Sequence, residues 1–542
     1  MTESFNLITK PWIPCEFLDG RQADLSTRDA LVEAHRLRAI VDPSPLVVAV
    51  LHRHLLAVLH RVVDGPKTMQ EWTAIGRTGH FEAAKVEGYL ARVRERMDLF
   101  HPTHPFAQTR GLIGRGMPVT SIDELELEHS GWGQREYLFQ HRPEDYTHST
   151  TPGKAARSLL AHQAFAFHGT LKGMNPAVGK RLGEPHSTGA GALARSAVII
   201  LRRPTLFETL VANLLVYDPS ASKPIPASAE DAPSWEQDPL PPNAQECELT
   251  RPLGWLDVLT WLSRRAELHS AKGLIVGFTH AAGRGRAKDN GVLDPQVTYE
   301  RNEKQGFRPI AIRADRAFWR DANALFEATR KGQPRFWRPL AIDLVAPGAG
   351  ESPFGDGAAY AVEAFGQDTG SGAKVEADCV RQESLSVKGR LLADPNAREA
   401  VEHVLRFSDG AIRTLRLALY EFAKLVLPMS DDEGKDSRKE RWSFVRRSGA
   451  ETGSWAALGA VFESFLRDLG DDMDDARQRF EDGTRKIVRE RFEDALSAEL
   501  SDGRALRARA AAEERLAQGL ARLDSTDAEA IDGDDSEEED EP

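Results

Sequence analysis

The sequence has little cysteine and none of the short motifs of the common nucleotide-dependent and metal-dependent enzymes. Its three cysteines, Cys15, Cys247 and Cys379, lie more than a hundred residues apart, and no CxxC or Cys/His pairing occurs. This usage suits a reducing compartment and excludes a zinc knuckle. The motifs GxxxxGK[ST], HExxH and GxSxG and the zinc-deaminase pattern are also absent, so the sequence supports neither a P-loop ATPase nor these hydrolases and deaminases.

Long apolar runs are missing as well. No stretch approaches the ~18 consecutive apolar residues that a membrane-spanning helix needs, and the start MTESFNLITKPW lacks the layout of a signal peptide. We therefore expect a cytoplasmic protein without a membrane partner. Its 542 residues, 41% of them hydrophobic and 28% charged, are those of a soluble globular protein of two or more domains.

Acidic residues are unevenly distributed along the chain. The last segment, 524–542, holds eleven Asp and Glu residues and no Lys or Arg; without them the net charge of −13 becomes −2. A segment of this composition buries little apolar surface, so we expect it to be disordered. It is either a solubilising terminus or an arm that mimics nucleic acid or binds a partner. The near-neutral remainder leaves nucleic-acid binding open.

Strand and helix signals are mixed up to about residue 390, and long amphipathic helices follow. RSAVIILRR (195–203) predicts a strand, GWLDVLTWLSRRAELH (254–269) a helix, and the proline-rich segment 218–246 a surface excursion. From Asp394, four stretches with apolar residues at helical spacing predict an antiparallel bundle. We predict an α+β fold with a mixed domain at 1–390, a four-helix bundle at 391–523 and the acidic tail.

Histidine spacing does not predict a metal site. His52, His54 and His60 lie on an apolar helix without the i, i+4 spacing of a helical site, so we expect histidines at the edge of the core. His101 and His104, in HPTHPFAQTRG, are the most enzyme-like pair, but the intervening prolines prevent a regular helix and no third ligand is near. A metal-dependent hydrolase stays only as an alternative, and no metal or other cofactor is expected.

The stretch FGQDTGSGAKV (365–375) places three glycines between two alternating runs. A phosphate-binding loop would need a helix after the glycines, whereas the alternation continues as a strand. The sequence therefore predicts a hairpin. Its tip is either an unspecialised flexible loop or a finger that approaches another molecule, since glycine allows close backbone contact.

Five segments, in chain order, resemble a known family. They are FNLITKPWIPC (5–15), HPFAQTRG (104–111), AARSLLAHQAFAFHG (155–169), LTWLSRRAEL (259–268) and LYEFAK (419–424). Together they are similar to the large subunit of the type I-E CRISPR surveillance complex Cascade, the CasA family. Only the acidic tail and the proline-rich segment fall outside the resemblance.

The resemblance implies a non-enzymatic subunit of a DNA-targeting complex. Such a subunit recognises the protospacer-adjacent motif (PAM) in double-stranded DNA and helps to open the target for CRISPR RNA pairing and R-loop formation. It then recruits a separate helicase-nuclease. The implied partners are the other Cascade subunits, the CRISPR RNA, the target duplex and that effector. A scaffold subunit without direct DNA contact remains an alternative.

Three elements carry the implied contacts. A loop within REYLFQHRPEDY (135–146) would reach the RNA handle, where Phe139 is either a base-stacking residue or a core anchor. GKRLGEPHSTGAG (179–191) resembles the glycine loop that approaches the minor groove, although the family's consecutive glycines are not reproduced. The implied handle residues are Leu138, Phe139, Gln140 and His141, and the implied DNA residues of the glycine loop are Lys180, Arg181, Gly183, Gly189 and Gly191.

The hairpin at 365–375 has the position of the family's wedge, which inserts a glutamine under the motif. Here the tip is glycine-rich and the nearest amide precedes it, so either the register differs or the protein wedges without glutamine. The implied wedge residues are Gln367, Thr369, Gly370, Ser371 and Gly372. A basic cluster around HAAGRGRAKDN (280–290) is either a phosphate-contacting loop or solvated surface. Its members are Arg264, Arg265, Lys272, Arg284, Arg286 and Lys288.

Overall fold

The chain folds into two compact units. The mixed unit comprises Met1–Ala314 and Glu327–Leu385, and the helical unit comprises Asp315–Phe326 and Ser386–Pro542. The residues that the computed structural model describes are 4–112, 119–127, 148–167, 170–171, 174–175, 180–181, 186–187, 190–242, 248–286, 292–302, 306–326, 335–346, 352–355, 357–369, 379–427, 435–497 and 502–523. The predicted acidic tail lies outside these ranges.

The helices of the described residues run as follows. They are α1 (Thr27–Val32), α2 (Pro45–Val63), α3 (Met69–Arg77), α4 (Ala83–Arg92), α5 (Pro152–Phe165), α6 (Leu206–Asn213), α7 (Trp255–Leu259), α8 (Asn323–Phe326), α9 (Leu340–Val345), α10 (Pro395–Val426), α11 (Lys435–Arg447), α12 (Ala450–Asp468), α13 (Met473–Ser497) and α14 (Gly503–Arg522). Helices α8 and α10 to α14 belong to the helical unit.

The strands are short and form several small sheets. They are β1 (Ile13–Phe17), β2 (Gln22–Leu25), β3 (Leu37–Ile40), β4 (Thr120–Ser121), β5 (Thr170–Leu171), β6 (Met174–Asn175), β7 (Lys180–Arg181), β8 (His186–Ser187), β9 (Val198–Arg202), β10 (Glu248–Thr250), β11 (Arg264–Ala271), β12 (Leu274–Ala282), β13 (Arg284–Arg286), β14 (Tyr299–Asn302), β15 (Gly306–Pro309), β16 (Phe336–Trp337), β17 (Ala359–Asp368) and β18 (Cys379–Lys388). The three-stranded sheets are β2-β1-β3, β11-β12-β4, β15-β14-β16 and β18-β17-β9, and the pairs are β10-β13, β5-β8 and β6-β7.

Helix α2 lies in the core of the mixed unit. Ser44 caps it by accepting a hydrogen bond from the amide of Val47, and Pro45 occupies the first turn, where its missing N–H is not needed. All residues from Leu46 to His60 are buried, as expected for a helix that is apolar on every side. Among the described helices, only α2 is long and apolar enough to cross a membrane, and 83% of that stretch is buried within the protein.

The helical unit contains the four predicted long helices and one more. Helix α10 is capped by the Asp394 side chain and packs against α13 and α14, while α12 packs against α13. Helix α11 is the addition. Gly519 of α14 faces the side chain of Thr414 on α10 so closely that no Cβ would fit there. This glycine therefore allows α10 and α14 to approach each other. The predicted α+β fold with C-terminal helices is confirmed.

One predicted helix of the mixed unit is wrong. The helix expected over 254–269 ends at Leu259, and the following segment forms strand β11. The first five residues of β11 are buried, and the strand pairs antiparallel with β12 from Arg264 opposite Ala282 to Ala271 opposite Leu274. Pairing with the next strand, across the two-residue turn Lys272-Gly273, overrides the local helical spacing.

The described part of the proline-rich segment 218–246 has many exposed residues, as expected of a surface excursion, but it is anchored to the mixed unit at two side chains. The Trp235 side chain is buried. The Asp231 carboxylate accepts hydrogen bonds of 3.0 Å from the amides of Leu256 and Asp257, at the start of α7. This carboxylate therefore caps a helix that lies outside its own segment. Burial raises the pKa of Asp231.

Candidate nucleic-acid interface

The glycine-rich stretch at 365–375 lies where two strands of one sheet come together, as the alternation predicts. Strands β17 and β18 are neighbours in the sheet β18-β17-β9, and β17 pairs antiparallel with β9 over five residue pairs. Thr369 is the last described residue before the tip. The predicted tip residues Gly370, Ser371 and Gly372 lie outside the described residues. The structure thus fixes the root of the hairpin, which is largely buried along β17.

Gln367 lies in this buried root and not at the tip. Its side chain is 1% exposed, and its Nε2 donates hydrogen bonds to the carbonyl oxygens of Phe165, at 2.7 Å, and Ala194, at 3.3 Å. A buried amide with two internal acceptors is not placed to insert beneath a base pair. The geometry therefore opposes Gln367 as the wedge glutamine and leaves the alternative in which the tip acts without one.

The segment that holds the predicted glycine loop begins at the end of α5 and returns toward β9. Within it β5 pairs antiparallel with β8, and β6 with β7, so one short ladder is nested inside the other. Lys180 and Arg181 form β7, and their side chains lie outside what the structure describes. Gly183 and Gly189 also fall outside the described residues. We name residues 168–189 the glycine segment.

Two stems carry the glycine segment, and they are closed on each other. The outgoing stem is 164–167 and the returning stem is 190–196. The amide of Gly191 donates to the carbonyl of Ala166 at 2.7 Å, and the amide of Leu193 donates to Ala164 at 2.9 Å. A Cβ on Gly191 would lie 2.5 Å from the Ala164 carbonyl oxygen. The structure therefore places Gly191 in the packing of the stems, which is a different role from the predicted DNA contact.

The predicted phosphate contacts Arg284 and Arg286 have internal partners instead. The Arg284 guanidinium forms two hydrogen bonds to Asp257, of 2.7 and 2.9 Å, and its central carbon lies 3.9 Å from the centre of the Trp261 ring. The side chain is 12% exposed. Arg286 lies 3.8 Å from the buried carboxylate of Asp294. Asp257 pairs with Arg284, Asp294 is shared by Arg286 and Arg53, and both arginine side chains are largely buried, so the geometry does not favour them as phosphate ligands.

Two further members of the predicted basic cluster are buried. Arg264 donates from Nη2 to the carbonyl of Phe167 at 2.7 Å, and Arg265 donates from Nε to Pro241 at 2.7 Å. Arg264 therefore holds the outgoing stem rather than a phosphate. Lys272 is exposed in the turn between β11 and β12. Lys288 lies outside the described residues.

The predicted RNA-handle loop lies within 128–147, which the structure does not describe. The residues on either side of it are joined. His148 pairs with Asp123, and Lys154 pairs with Glu126 at 2.7 Å. The loop therefore starts and ends at one anchored place in the mixed unit. The handle residues Leu138, Phe139, Gln140 and His141 remain a prediction.

The histidines of α2 do not form a metal site, and they are buried within the core rather than at its edge. His52 hydrogen-bonds through Nδ1 to the carbonyl of Val48 at 2.8 Å, and His60 Nε2 accepts from the indole of Trp255 at 3.0 Å. Burial lowers the pKa of His52 to about 4 and the pKa of both His54 and His60 to about 3. They are therefore neutral at physiological pH.

His101 and His104 form a local turn. The amide of His104 donates to Nδ1 of His101 at 3.0 Å, and the two rings stack with their centroids 5.8 Å apart. Across the described part of the chain, no group of three or more His, Cys, Asp or Glu side chains is arranged to hold a metal ion. The hydrolase alternative gains no support from these residues.

A family model and a curated relative both match this chain, and they indicate the same family. The model of the family described as CRISPR-associated protein Cse1 matches residues 6–497. The CasA/Cse1 protein of Thermus thermophilus is 31% identical over 473 residues, which are 86% of this chain and 87% of that protein. The chain belongs to the Cse1 (CasA) family. The resemblance found in five short segments is thereby confirmed.

Solved Cse1 structures share the fold. The crystal structure of Thermus thermophilus CasA matches with a TM-score of 0.78 at 26% identity, covering 96% of this chain and 100% of that one. Thermobifida fusca Cse1 also has a TM-score of 0.78, at 24% identity, with 96% and 99% covered. A structure described as a CRISPR RNA-guided surveillance complex has a TM-score of 0.71 at 20% identity, with 96% and 100% covered.

Sequence reasoning missed one residue that organises this Cse1 structure. Gln163 of α5 donates to the carbonyls of Arg264, at 2.9 Å, and Ala107, at 3.1 Å, and it accepts from the amide of Arg264 at 2.8 Å. It joins the end of α5 to β11 beside the outgoing stem. The available signal was a lone amide in the apolar run AHQAFAF, because a buried amide is normally hydrogen-bonded.

Proposed function

We propose that this Cse1 family member is the large, non-catalytic subunit of a type I-E CRISPR Cascade complex. It recognises the PAM in double-stranded DNA, helps to unwind the target for R-loop formation and recruits the separate helicase-nuclease. Its partners are the other Cascade subunits, the CRISPR RNA, the target duplex and that nuclease. Family membership supports this proposal, and so does the shared fold with a structure described as an RNA-guided surveillance complex.

One observation carries the DNA-binding part of the proposal. The root of the hairpin and both stems of the glycine segment meet at Gln367, whose amide bonds to one carbonyl on each stem. Two segments with glycines and cations in their sequences therefore leave the described core from one place. Such an arrangement suits two elements that act on neighbouring parts of one duplex.

The guide RNA and the protein recognise different parts of the target. Guide pairing reads the target sequence, so the protein needs to recognise only a short flanking tag and to offset part of the cost of opening. Minor-groove readout is degenerate, which allows several flanking motifs. Unstacking costs on the order of a few kcal/mol per base step, a cost that a narrow hairpin tip offsets by contact with the separated strands.

The test shortens the hairpin. Residues 369–378 are replaced by an Asn-Gly turn, which closes two antiparallel strands without altering their buried part. Opening of the first base pairs is followed by permanganate reactivity, using the assembled complex and duplexes with varied flanking motifs. We expect opening to slow by roughly ten- to a hundredfold, since a lost contribution of ~1.4 kcal/mol is a factor of ten.

A matched control alters another hairpin of the same unit. Asp19 lies exposed in the turn between β1 and β2, and Asp19→Asn should leave opening unchanged. Assembly with the RNA and the other subunits should be normal in both variants. Unchanged opening by the shortened hairpin, with every flanking motif, would favour the scaffold alternative.

A second measurement addresses the glycine segment. Lys180→Ala and Arg181→Ala should each weaken duplex binding and reduce the slope of log K against log salt by about 1, because each phosphate contact releases roughly one counterion. Asp19→Asn again serves as the control. An unchanged salt slope in both the lysine and the arginine variants would contradict phosphate contacts by this segment.

A further inference from the structure

We propose that Gln367 is a positioning residue that fixes the hairpin to the glycine segment, so that both are presented to the duplex as one body. The proposal rests on the proposed function for its consequence on DNA. The claim that Gln367 joins the two segments rests only on the contacts of the described residues. Gln367 itself touches no nucleic acid in this proposal.

The geometry of the amide is specific. Nε2 has two hydrogens, and each is used: one bonds to Phe165 of the outgoing stem and the other to Ala194 of the returning stem. Only the NH2 side of the amide donates, so the two carbonyls also fix its orientation. With the side chain 1% exposed, water does not compete for these bonds. One side chain on β17 thus holds both stems.

The oxygen of the Gln367 amide also bears on this role. Oε1 of Gln367 is buried and has no hydrogen-bond partner among the described residues. A buried acceptor without a partner costs free energy. An apolar residue would avoid that cost but would leave the carbonyls of Phe165 and Ala194 without the donors that glutamine supplies. The two donors are therefore the part of this side chain that the stems use.

A close backbone contact accompanies the amide. Gly366 precedes Gln367, and a Cβ at this position would lie 2.8 Å from the carbonyl oxygen of Ser196 and 3.0 Å from Ile312 Cγ1. The returning stem then continues into β9, which pairs with β17. The returning stem is therefore held to β17 by its backbone and by Gln367, and the outgoing stem is joined to β17 through Gln367.

The first test needs no DNA. Gln367→Met keeps the length of the side chain and removes both donors, and Gln296→Met is the matched control. Gln296 is a buried glutamine of the same unit that contacts Arg53. We expect the amides of Gly191 and Leu193 to exchange with solvent roughly tenfold faster in the Gln367 variant, as for the loss of buried hydrogen bonds. Equal exchange in the two variants would overturn the proposal.

A second pair of variants loosens the same junction from the backbone side. Gly366→Ala presses on Ser196, whereas Gly357 has no atom within 4 Å of an added Cβ. Gly366→Ala should increase exchange at the returning stem and Gly357→Ala should not. This pair keeps the proposal testable if Gln367→Met does not fold. No difference between the glycine variants would count against the junction.

The third test uses the assembled complex and double-mutant cycles. The shortened hairpin and Arg181→Ala are combined in two backgrounds, one that keeps Gln367 and one that carries Gln367→Met, and opening rates are compared. We expect the two changes to be non-additive by at least about threefold with Gln367 and additive without it, since separated sites couple only through a structural element that they share. Non-additivity that survives Gln367→Met would overturn the proposal.

The outcomes separate this inference from the proposed function. If neither the shortened hairpin nor Arg181→Ala affects DNA, the proposed function fails, and stem exchange still decides whether Gln367 joins the segments. If both single changes affect DNA but Gln367→Met changes neither exchange nor coupling, the proposed function stands and the positioning role fails. Each result therefore bears on one claim.

Discussion

The mixed unit and the helical unit are stabilised in different ways. Buried polar side chains hold the mixed unit together: Arg53 bonds to Asp294, at 2.9 and 3.1 Å, with both side chains almost fully buried. Although burial raises the pKa of Asp294, the charges of Arg53 and Arg286 bring it below its ordinary value. In the helical unit the core is aromatic and aliphatic, as in the stacking of Trp319 on Phe462 with centroids 4.9 Å apart.

This difference reflects the kind of backbone that each unit contains. A core of repeated apolar contacts needs regular helices, because the contacts recur at helical spacing. Irregular stems expose backbone carbonyls and amides that must be satisfied when they are buried. Polar side chains such as Gln163, Arg264 and Gln367 do this in the mixed unit. The mixed unit, whose buried polar side chains satisfy such stems, is also the one that carries the candidate nucleic-acid segments.

The largest expected difference between the units is the loss of stability at acidic pH. The pKa values of His52, His54 and His60 lie below their unfolded value of about 6.5. As the pH falls through 6.5 toward 4, the unfolded chain takes up protons that the folded chain cannot, so stability falls in this window. At pH 5 each histidine should cost about 2 kcal/mol of the free energy of unfolding.

Hydrogen exchange, corrected for the intrinsic pH dependence, measures this effect in each unit. Protection of α2 should drop between pH 7 and pH 5, and protection of α10 should drop less. Replacing the three histidines by apolar residues should reduce the response of α2. Equal losses of protection in α2 and α10 would contradict the expected difference between the two units.

The next largest effect comes from the buried ion pair. Arg53→Met leaves the Asp294 carboxylate buried without its main cation, and we expect a loss of about 3–5 kcal/mol in the free energy of unfolding. The matched control is Arg335→Met, in a pair with Glu300 whose side chains are 67% and 46% exposed. This exposed pair should contribute less than about 1 kcal/mol. Denaturant unfolding measures both, and similar losses would contradict a polar core.

Overpacking of the helical unit should have a smaller effect. Gly519→Ala places a methyl group against Thr414, and separating α14 from α10 should cost about 1–3 kcal/mol. In the same helix Gly503 has only Arg507 near an added Cβ, at 4.0 Å, so Gly503→Ala should be neutral or slightly stabilising. Thermal unfolding distinguishes them. A harmless Gly519→Ala would show that α10 and α14 do not require close approach.

The smallest effect concerns a helix cap. Thr205 accepts from the amide of Glu208 at the start of α6, and the Glu208 carboxylate accepts from the amide of Thr205. Thr205→Ala should cost about 1 kcal/mol, and Thr205→Ser should restore most of it. Denaturant unfolding is again the measurement. No recovery with serine would mean that the hydroxyl is not what stabilises this helix.

The elements that depend on local spacing could be predicted from the sequence. Leu415, Leu419 and Phe422 are buried along α10, as their three- to four-residue spacing indicates. The hairpin at 365–375 was also predictable, because alternation on both sides of glycine is a local signal. The family followed from five short segments in order. None of these inferences required a distant contact.

The polar contacts of the candidate interface could not be predicted in this way. Gln367 and Phe165 are 202 residues apart, and Gln163 and Arg264 are 101 apart. Spacing along the chain carries no information about such pairs. For the same reason Arg264 and Arg284 were expected at the surface, although their partners lie on other segments. From the sequence alone, a charged residue in a glycine-rich stretch is predicted to be exposed. Only the structure shows the carboxylate or carbonyl group that allows it to be buried.

The central claim, that the hairpin tip touches DNA, is tested most directly by crosslinking. A photoreactive amino acid is placed at Ser371 in the tip, or at Asp19 in the other hairpin, and the assembled complex is irradiated with labelled target duplex. We expect the Ser371 position to crosslink to DNA beside the target and the Asp19 position to give none. Crosslinks from Ser371 to protein subunits alone, with DNA bound, would contradict the claim.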